Sequence, residues 1–141
     1  MITRKHILLW RNIIWAAIIL VLCAMPSSSI PDPKVNIPHL DKVVHMGMFF
    51  IMSILLCSEL RYQTNLSLRK IYLIAIGFSI AYGGLIEILQ ANYFHRGGDW
   101  WDLLADVVGG IIGCLLYPEA TRQKDKIIAR LHQRLKKQKE M

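Results

Sequence analysis

The run at residues 71–91 is 21 residues long and apolar almost throughout, with Glu87 and Gln90 near its end. A helix crossing the hydrocarbon core of a bilayer needs roughly 20 such residues, and lipid-facing backbone must satisfy its own hydrogen bonds. Three further apolar segments, 13–25 (extendable back to residue 7), 43–57 and 103–117, reach that length once their polar neighbours are included. The pattern predicts an all-α membrane protein with four transmembrane helices at about residues 7–25, 43–60, 71–91 and 102–118. Because only one segment is long enough by itself, a soluble all-helical protein is the competing fold.

Charge placement gives a direction. Of the 17 Lys and Arg residues in this 141-residue chain, 14 lie before residue 12, between the second and third segments, or after Pro118. Only Lys34, Lys42 and Arg96 lie in the other two loops. An excess of basic residues marks cytoplasmic loops. Both termini are therefore expected in the cytoplasm (N-in/C-in), with residues 26–42 and 92–101 facing outward. A cleaved signal peptide is a second reading of the first segment, because Arg4 and Lys5 precede it and Ser27, Ser28 and Ser29 follow it. Arg11 and Asn12 interrupt that run.

The length fits one domain, read as a membrane domain over 1–118 and a basic cytoplasmic tail over 119–141. In the tail, Ile127, Ile128, Leu131 and Leu135 recur at helical spacing between Lys and Arg, which predicts a basic amphipathic C-terminal helix on the inner leaflet. A soluble, solvated helix fits the same residues. The loop at 26–42 holds four prolines and is expected to be extended. The net charge of +7 comes with no nucleic-acid motif, so membrane lipids are the expected partners and nucleic acid is not. Cys23, Cys57 and Cys114 lie in apolar stretches without metal-type spacing and read as small buried hydrophobes.

The unusual polar residues gather at one predicted depth. Asp41 and His45 are four apart where the second span begins, Glu87 and Gln90 three apart where the third ends, and Asp99, Asp102 and Asp106 run down the start of the fourth. At about 1.5 Å per residue, His45, Glu87 and Asp106 fall roughly 5–10 Å below the outer boundary. Gly83, Gly84 and Ala91 share a face with Glu87, and Gly109, Gly110 and Gly113 share one with Asp106. Small residues let helices approach closely in lipid. A charge in hydrocarbon costs about 2.5–3.5 kcal/mol on insertion scales, so these carboxylates are expected to face helix–helix contacts and to line an internal site open to the outside.

Duller roles fit several of these residues. Asp99 suits an N-cap with Asp102 at the third position, and Asp41 suits another. Lys42 can snorkel, Arg96 can pair with an acid or a headgroup, and a lone His45 could be a satisfied helix histidine. Tyr93, Trp100 and Trp101 suit an interfacial aromatic belt. Glu87 and Asp106 sit at no helix start, so capping does not account for them.

Taken together, "DKVVH" at 41–45, "GGLIEILQ" at 83–90 and "RGGDWWDLLADVVGGIIG" at 96–113 resemble the VanZ-like family of small bacterial membrane proteins, over about residues 26–117. The resemblance implies a multi-pass helical protein of the bacterial cytoplasmic (inner) membrane. It also implies a link to the cell envelope and to low-level resistance to the lipoglycopeptide teicoplanin, without naming a reaction. Asp41, Lys42, His45, Glu87, Gln90, Arg96, Asp99 and Asp102 match the family pattern. Asp106 departs from it, since Asn is usual there, and this favours a hydrogen-bonding or ligand-orienting role. The phosphotransbutyrylase label carried by some members finds no acyl-carrier or phosphate-loop motif here.

Three functions are open at this point. In an outer-leaflet enzyme, Asp41, His45, Glu87, Asp99 and Asp102 would supply acid–base chemistry or cation ligands. Lys42, Gln90, Arg96 and Asp106 would then hold an envelope lipid or lipid-linked glycan. A divalent cation, Mg²⁺ or Mn²⁺, would suit oxygen-rich ligands with one imidazole. The second function is a non-catalytic binder of an amphiphilic envelope ligand. The third is a structural or partner-binding protein whose polar cluster only stabilises the bundle. The glycine faces also leave room for a homo-oligomer.

Overall fold

The computed structural model describes residues 3–25, 39–94 and 98–139, with side chains described as far as Arg122. These residues form four helices: α1 (Arg4–Ala24), α2 (Leu40–Gln63), α3 (Leu68–Asn92) and α4 (Trp100–Lys139). Each contains a stretch long and apolar enough to cross a membrane, with Trp100–Arg122 as the spanning part of α4. Among the described residues there is no strand. Ile7, Trp10, Leu73, Ile88 and Leu115 are exposed, as lipid-facing residues should be.

The helices cover the expected spans, and their ends and polar interruptions have identifiable physical causes. α1 passes through Arg11 and Asn12 without a break because α2 supplies partners: the Arg11 guanidinium donates to the Leu55 carbonyl at 2.7 Å, and the Asn12 amide donates to the Glu59 carboxylate. Asp41 is not the cap of α2. His39 is, in a left-handed conformation at φ 58° and ψ 29°, which places Asp41 in the first turn, where a negative charge meets the positive end of the helix dipole. Asp99 does cap α4: its Oδ1 accepts the Trp101 N–H at 2.9 Å. α4 then runs on through Pro118, a residue that cannot donate back to the carbonyl of Cys114. The backbone of the tail is thus a continuation of the fourth span. The expected apolar stripe at Ile127, Ile128, Leu131 and Leu135 lies outside the described side chains, and the outer loop at 26–38 lies outside the described residues.

α2 packs on all three other helices, and its interface with α4 is the most extensive in the bundle. Glycines make that interface. A side chain at Gly109 would collide with the Met46 carbonyl, and one at Gly113 would come within 2.5 Å of the Phe50 carbonyl. One turn apart on α4, these two glycines lie on carbonyls one turn apart on α2. Gly110 sits against Ser79 and Ser53, whose hydroxyls are 3.4 Å apart. This close approach between α2, α3 and α4 sets the geometry at their polar ends.

Candidate functional site

α2 begins, α3 ends and α4 begins at one end of the bundle, so the polar residues of three helices meet there. They form two tiers. In the upper tier the Lys42 ammonium donates to Asp99 at 2.7 Å, Asp102 at 3.1 Å and Asp41 at 3.2 Å. Its three N–H groups thus answer three carboxylates from two helices. Asp99 divides its work, with one oxygen on the helix cap and the other on Lys42. The Lys42 ammonium, and after it the Trp101 N–H, hold the Asp99 carboxyl below its ordinary value.

The lower tier lies one helical turn deeper. His45 is one turn along α2 from Asp41, and Asp106 one turn along α4 from Asp102. His45 Nδ1 is 3.1 Å from Asp106 Oδ1. Asp106 is fully buried and Glu87 is 7% exposed. Glu87 Oε2 accepts the Asp99 backbone N–H at 2.7 Å, tying the end of α3 to the start of α4. Each of these two carboxylates therefore has one oxygen engaged. The others, Glu87 Oε1 and Asp106 Oδ2, are buried and find no hydrogen-bond partner among the described residues. Nearly all buried polar atoms in folded proteins are partnered, so an orphaned oxygen on each of two carboxylates in one cluster is informative. One ligand atom from each of His45, Glu87 and Asp106 lies within 4.8 Å of the other two.

Glycines shape this tier as well. A Cβ at Gly83 would stand 2.6 Å from Asp106 Oδ2, and one at Gly98 would stand 3.0 Å from the Glu87 carbonyl. Gly84 has nothing within 4 Å, so of the adjacent pair only Gly83 admits the aspartate.

All the described sequence-selected residues lie at this end, though not in equivalent settings. Asp41, Lys42, Asp99 and Asp102 make the upper tier, and His45, Glu87 and Asp106 the lower. Gln90 turns instead toward α1, where its amide donates to the Cys23 carbonyl at 3.1 Å. Arg96 lies outside the described residues. Cys23 was not singled out from sequence as part of the cluster, yet its Sγ is 4.0 Å from His45 Nε2. No signal marked it, because α1 carries no polar side chain at this end. The opposite end carries polar side chains as well. Arg11, Asn12 and Glu59 form a second polar network there, extended by a 2.8 Å bond from Gln63 to Glu59, with Arg11 Nε and Asn12 Oδ1 buried and unpartnered among the described residues. The polar pair at 11–12 inside an apolar run was the available clue. A surface groove lined by Ile7, Trp10, Arg11, Ile14, Trp15 and Leu55 lies near that network, away from the carboxylates.

Chemically, the lower tier offers an imidazole hydrogen-bonded to a carboxylate, with a second carboxylate alongside. That arrangement can move a proton, hold a cation or bind a hydrogen-bond donor. A model of the VanZ/LLP1 family matches residues 4–122, from the start of α1 to the end of the fourth apolar span. No curated protein and no solved structure matches the chain.

Proposed function

This chain belongs to the VanZ/LLP1 family, and from that starting point we propose that its polar end is an intramembrane site for an amphiphile of the cell envelope: a lipid, a lipid-linked glycan or a lipoglycopeptide. The observation that carries this reading is the pair of orphaned oxygens, Glu87 Oε1 and Asp106 Oδ2, beside His45 at the junction of three spans. Unpaired acid groups buried within a span are costly, and their usual justification is a substrate, ion or proton. The 14-to-3 distribution of Lys and Arg supports an outward orientation of this end, with both termini in the cytoplasm and the chain in a bacterial inner membrane. An amphiphile arriving from the outer leaflet would then lay its apolar part along the exposed faces of α3 and α4 and bring its headgroup to the carboxylates. A teicoplanin-like lipoglycopeptide fits that description, as does an envelope lipid. The His45–Asp106 pair supports acid–base work on such a ligand as well as binding.

A structural role has its own supporting observation. Lys42 is fully engaged by three carboxylates, and Gln90 by a backbone carbonyl of α1, so these residues hold helices together whatever else they do. That reading covers the upper tier and leaves the orphaned oxygens of the lower tier without a purpose. The glycines of α4 are covered within the bundle, whereas Gly47, Gly77 and Gly84 stay open, so a homo-oligomer would use α2 or α3 rather than the α4 glycine face.

Complementation of a deletion strain tests the reading. Wild type should restore teicoplanin tolerance and the normal envelope-lipid profile, and Glu87→Gln, expressed at the same level, should restore neither. Full restoration by Glu87→Gln would discard the site in favour of a structural protein.

A further inference from the structure

We propose that His45, Glu87 and Asp106 are the protein ligands of a divalent cation of the Mn²⁺ type. The inference deepens the reading of this end as a ligand site and rests on it, but it does not depend on which amphiphile binds. Its first support is charge. Among the described residues Lys42 is committed to Asp41, Asp99 and Asp102, each within 3.2 Å. Among the described residues no Lys or Arg is paired with Glu87 or Asp106, which lie a turn deeper. A protonated His45 would balance one of the two carboxylates and leave the other buried and uncompensated, whereas one divalent ion balances both.

The second support is the disposition of individual atoms. Glu87 is anchored through Oε2 on the Asp99 N–H and presents Oε1 without a partner. A monodentate carboxylate ligand steadied by an outer hydrogen bond has this arrangement. On a six-coordinate ion with bonds of about 2.1 Å, neighbouring ligand atoms stand about 3 Å apart. His45 Nδ1 and Asp106 Oδ1 already stand at 3.1 Å, and the ion would take the place of the proton between them. The mutual limit of 4.8 Å leaves a side-chain adjustment for the third ligand. The other ring nitrogen, Nε2, faces Cys23 Sγ, which leaves Nδ1 as the nitrogen turned to the carboxylates. One imidazole and two carboxylates form a hard, mixed N/O set, which suits Mn²⁺ better than the softer sets of structural zinc sites. The remaining coordination positions would go to water or to phosphate oxygens of an anionic headgroup, which narrows the amphiphile to one bearing phosphate or carboxylate.

The experiment is a titration of MnCl₂ into the chelator-treated, detergent-purified full chain without added lipid, with free Mn²⁺ followed by electron paramagnetic resonance. One saturable site per chain is expected in wild type. Glu87→Gln and Asp106→Asn should each weaken it at least tenfold, while Glu119→Gln, at the far end of the fourth span, should bind as wild type. Pulsed measurements on the wild-type complex should show one imidazole nitrogen coupled to the ion, an arm that needs no variant to fold. Absence of saturable binding, absence of the nitrogen coupling, or unchanged affinity in both carboxylate variants would overturn the inference. Lipid retained by the purified protein, read by native mass spectrometry, reports separately on the amphiphile. Lipid without Mn²⁺ binding overturns only the cation site, and Mn²⁺ binding without lipid upholds it.

Discussion

The two tiers of the polar end, one helical turn apart, each gather carboxylates around one basic side chain, yet their bonding differs. In the upper tier one ammonium meets three carboxylates, and Asp41 and Asp99 remain partly in contact with solvent. In the lower tier two buried carboxylates share one imidazole and one backbone N–H, and two oxygens go unanswered. A network closed on itself ties helices together. An open one at greater depth is destabilising unless something else completes it. The difference separates the part of the cluster that holds the fold from the part available for chemistry.

Both tiers depend on the close approach of α2 and α4, so the largest effect should come from Gly109→Val. Its added atoms would collide with the Met46 carbonyl. Overpacking of this kind costs about 3 kcal/mol or more, and the melting temperature in detergent should fall by on the order of 10 °C. A Gly109→Val protein as stable as wild type would mean that the two tiers do not rest on this contact.

Next in size is Lys42→Met, which leaves three carboxylates facing one another. The melting temperature should fall by several degrees, clearly further than for Asp41→Asn, which removes one acid from the same hub. Equal effects would erase the distinction between hub and periphery.

A sharper comparison uses adjacent residues. Gly83→Ala pushes a methyl toward Asp106 Oδ2 and should lower stability by about 1–2 kcal/mol. Gly84→Ala enters open space and should be neutral or slightly stabilising, by up to about 1 kcal/mol, because alanine is the better helix former. Thermal melts of the two variants side by side decide whether the lower tier is as tightly enclosed as the geometry indicates.

The smallest effect is an acid response of the upper tier. The carboxyl of Asp99 is held below its ordinary 3.8. A depressed carboxyl contributes stability that is fully present above the unfolded value. That contribution is lost as pH falls through the depressed one. Unfolding should therefore become easier only below about pH 4, and Lys42→Met should flatten that part of the profile.

Much of this was legible from sequence, for identifiable reasons. Span length is a one-dimensional property, so Ile71 to Ala91 announced α3 directly. The meeting of His45, Glu87 and Asp106 followed from helical rise and span direction, which fix depth without any knowledge of rotamers. Division into tiers was not legible, because whether Lys42 reaches Asp99 or solvent depends on side-chain direction and on how closely the Gly109–Gly113 face admits α2. Likewise, nothing in the sequence of α1 marked the Cys23 carbonyl as the partner of Gln90, since a backbone group at a helix end carries no residue signature. The position of the α2 cap was illegible for a similar reason. Asp41 is the better capping residue by type, but the chain turns one residue before Leu40, at His39, in a left-handed conformation uncommon for residues other than glycine.

The most direct test of a lower tier maintained for a ligand is the melting temperature of Glu87→Gln beside wild type, each with and without Mn²⁺. Glutamine keeps the shape and can still accept the Asp99 N–H, while the buried charge disappears. Without the cation the variant should melt at the same temperature as wild type or higher, and only wild type should gain stability when Mn²⁺ is added. A variant that melts many degrees lower in metal-free buffer, beside a wild type indifferent to Mn²⁺, would mean that Glu87 serves the bundle alone.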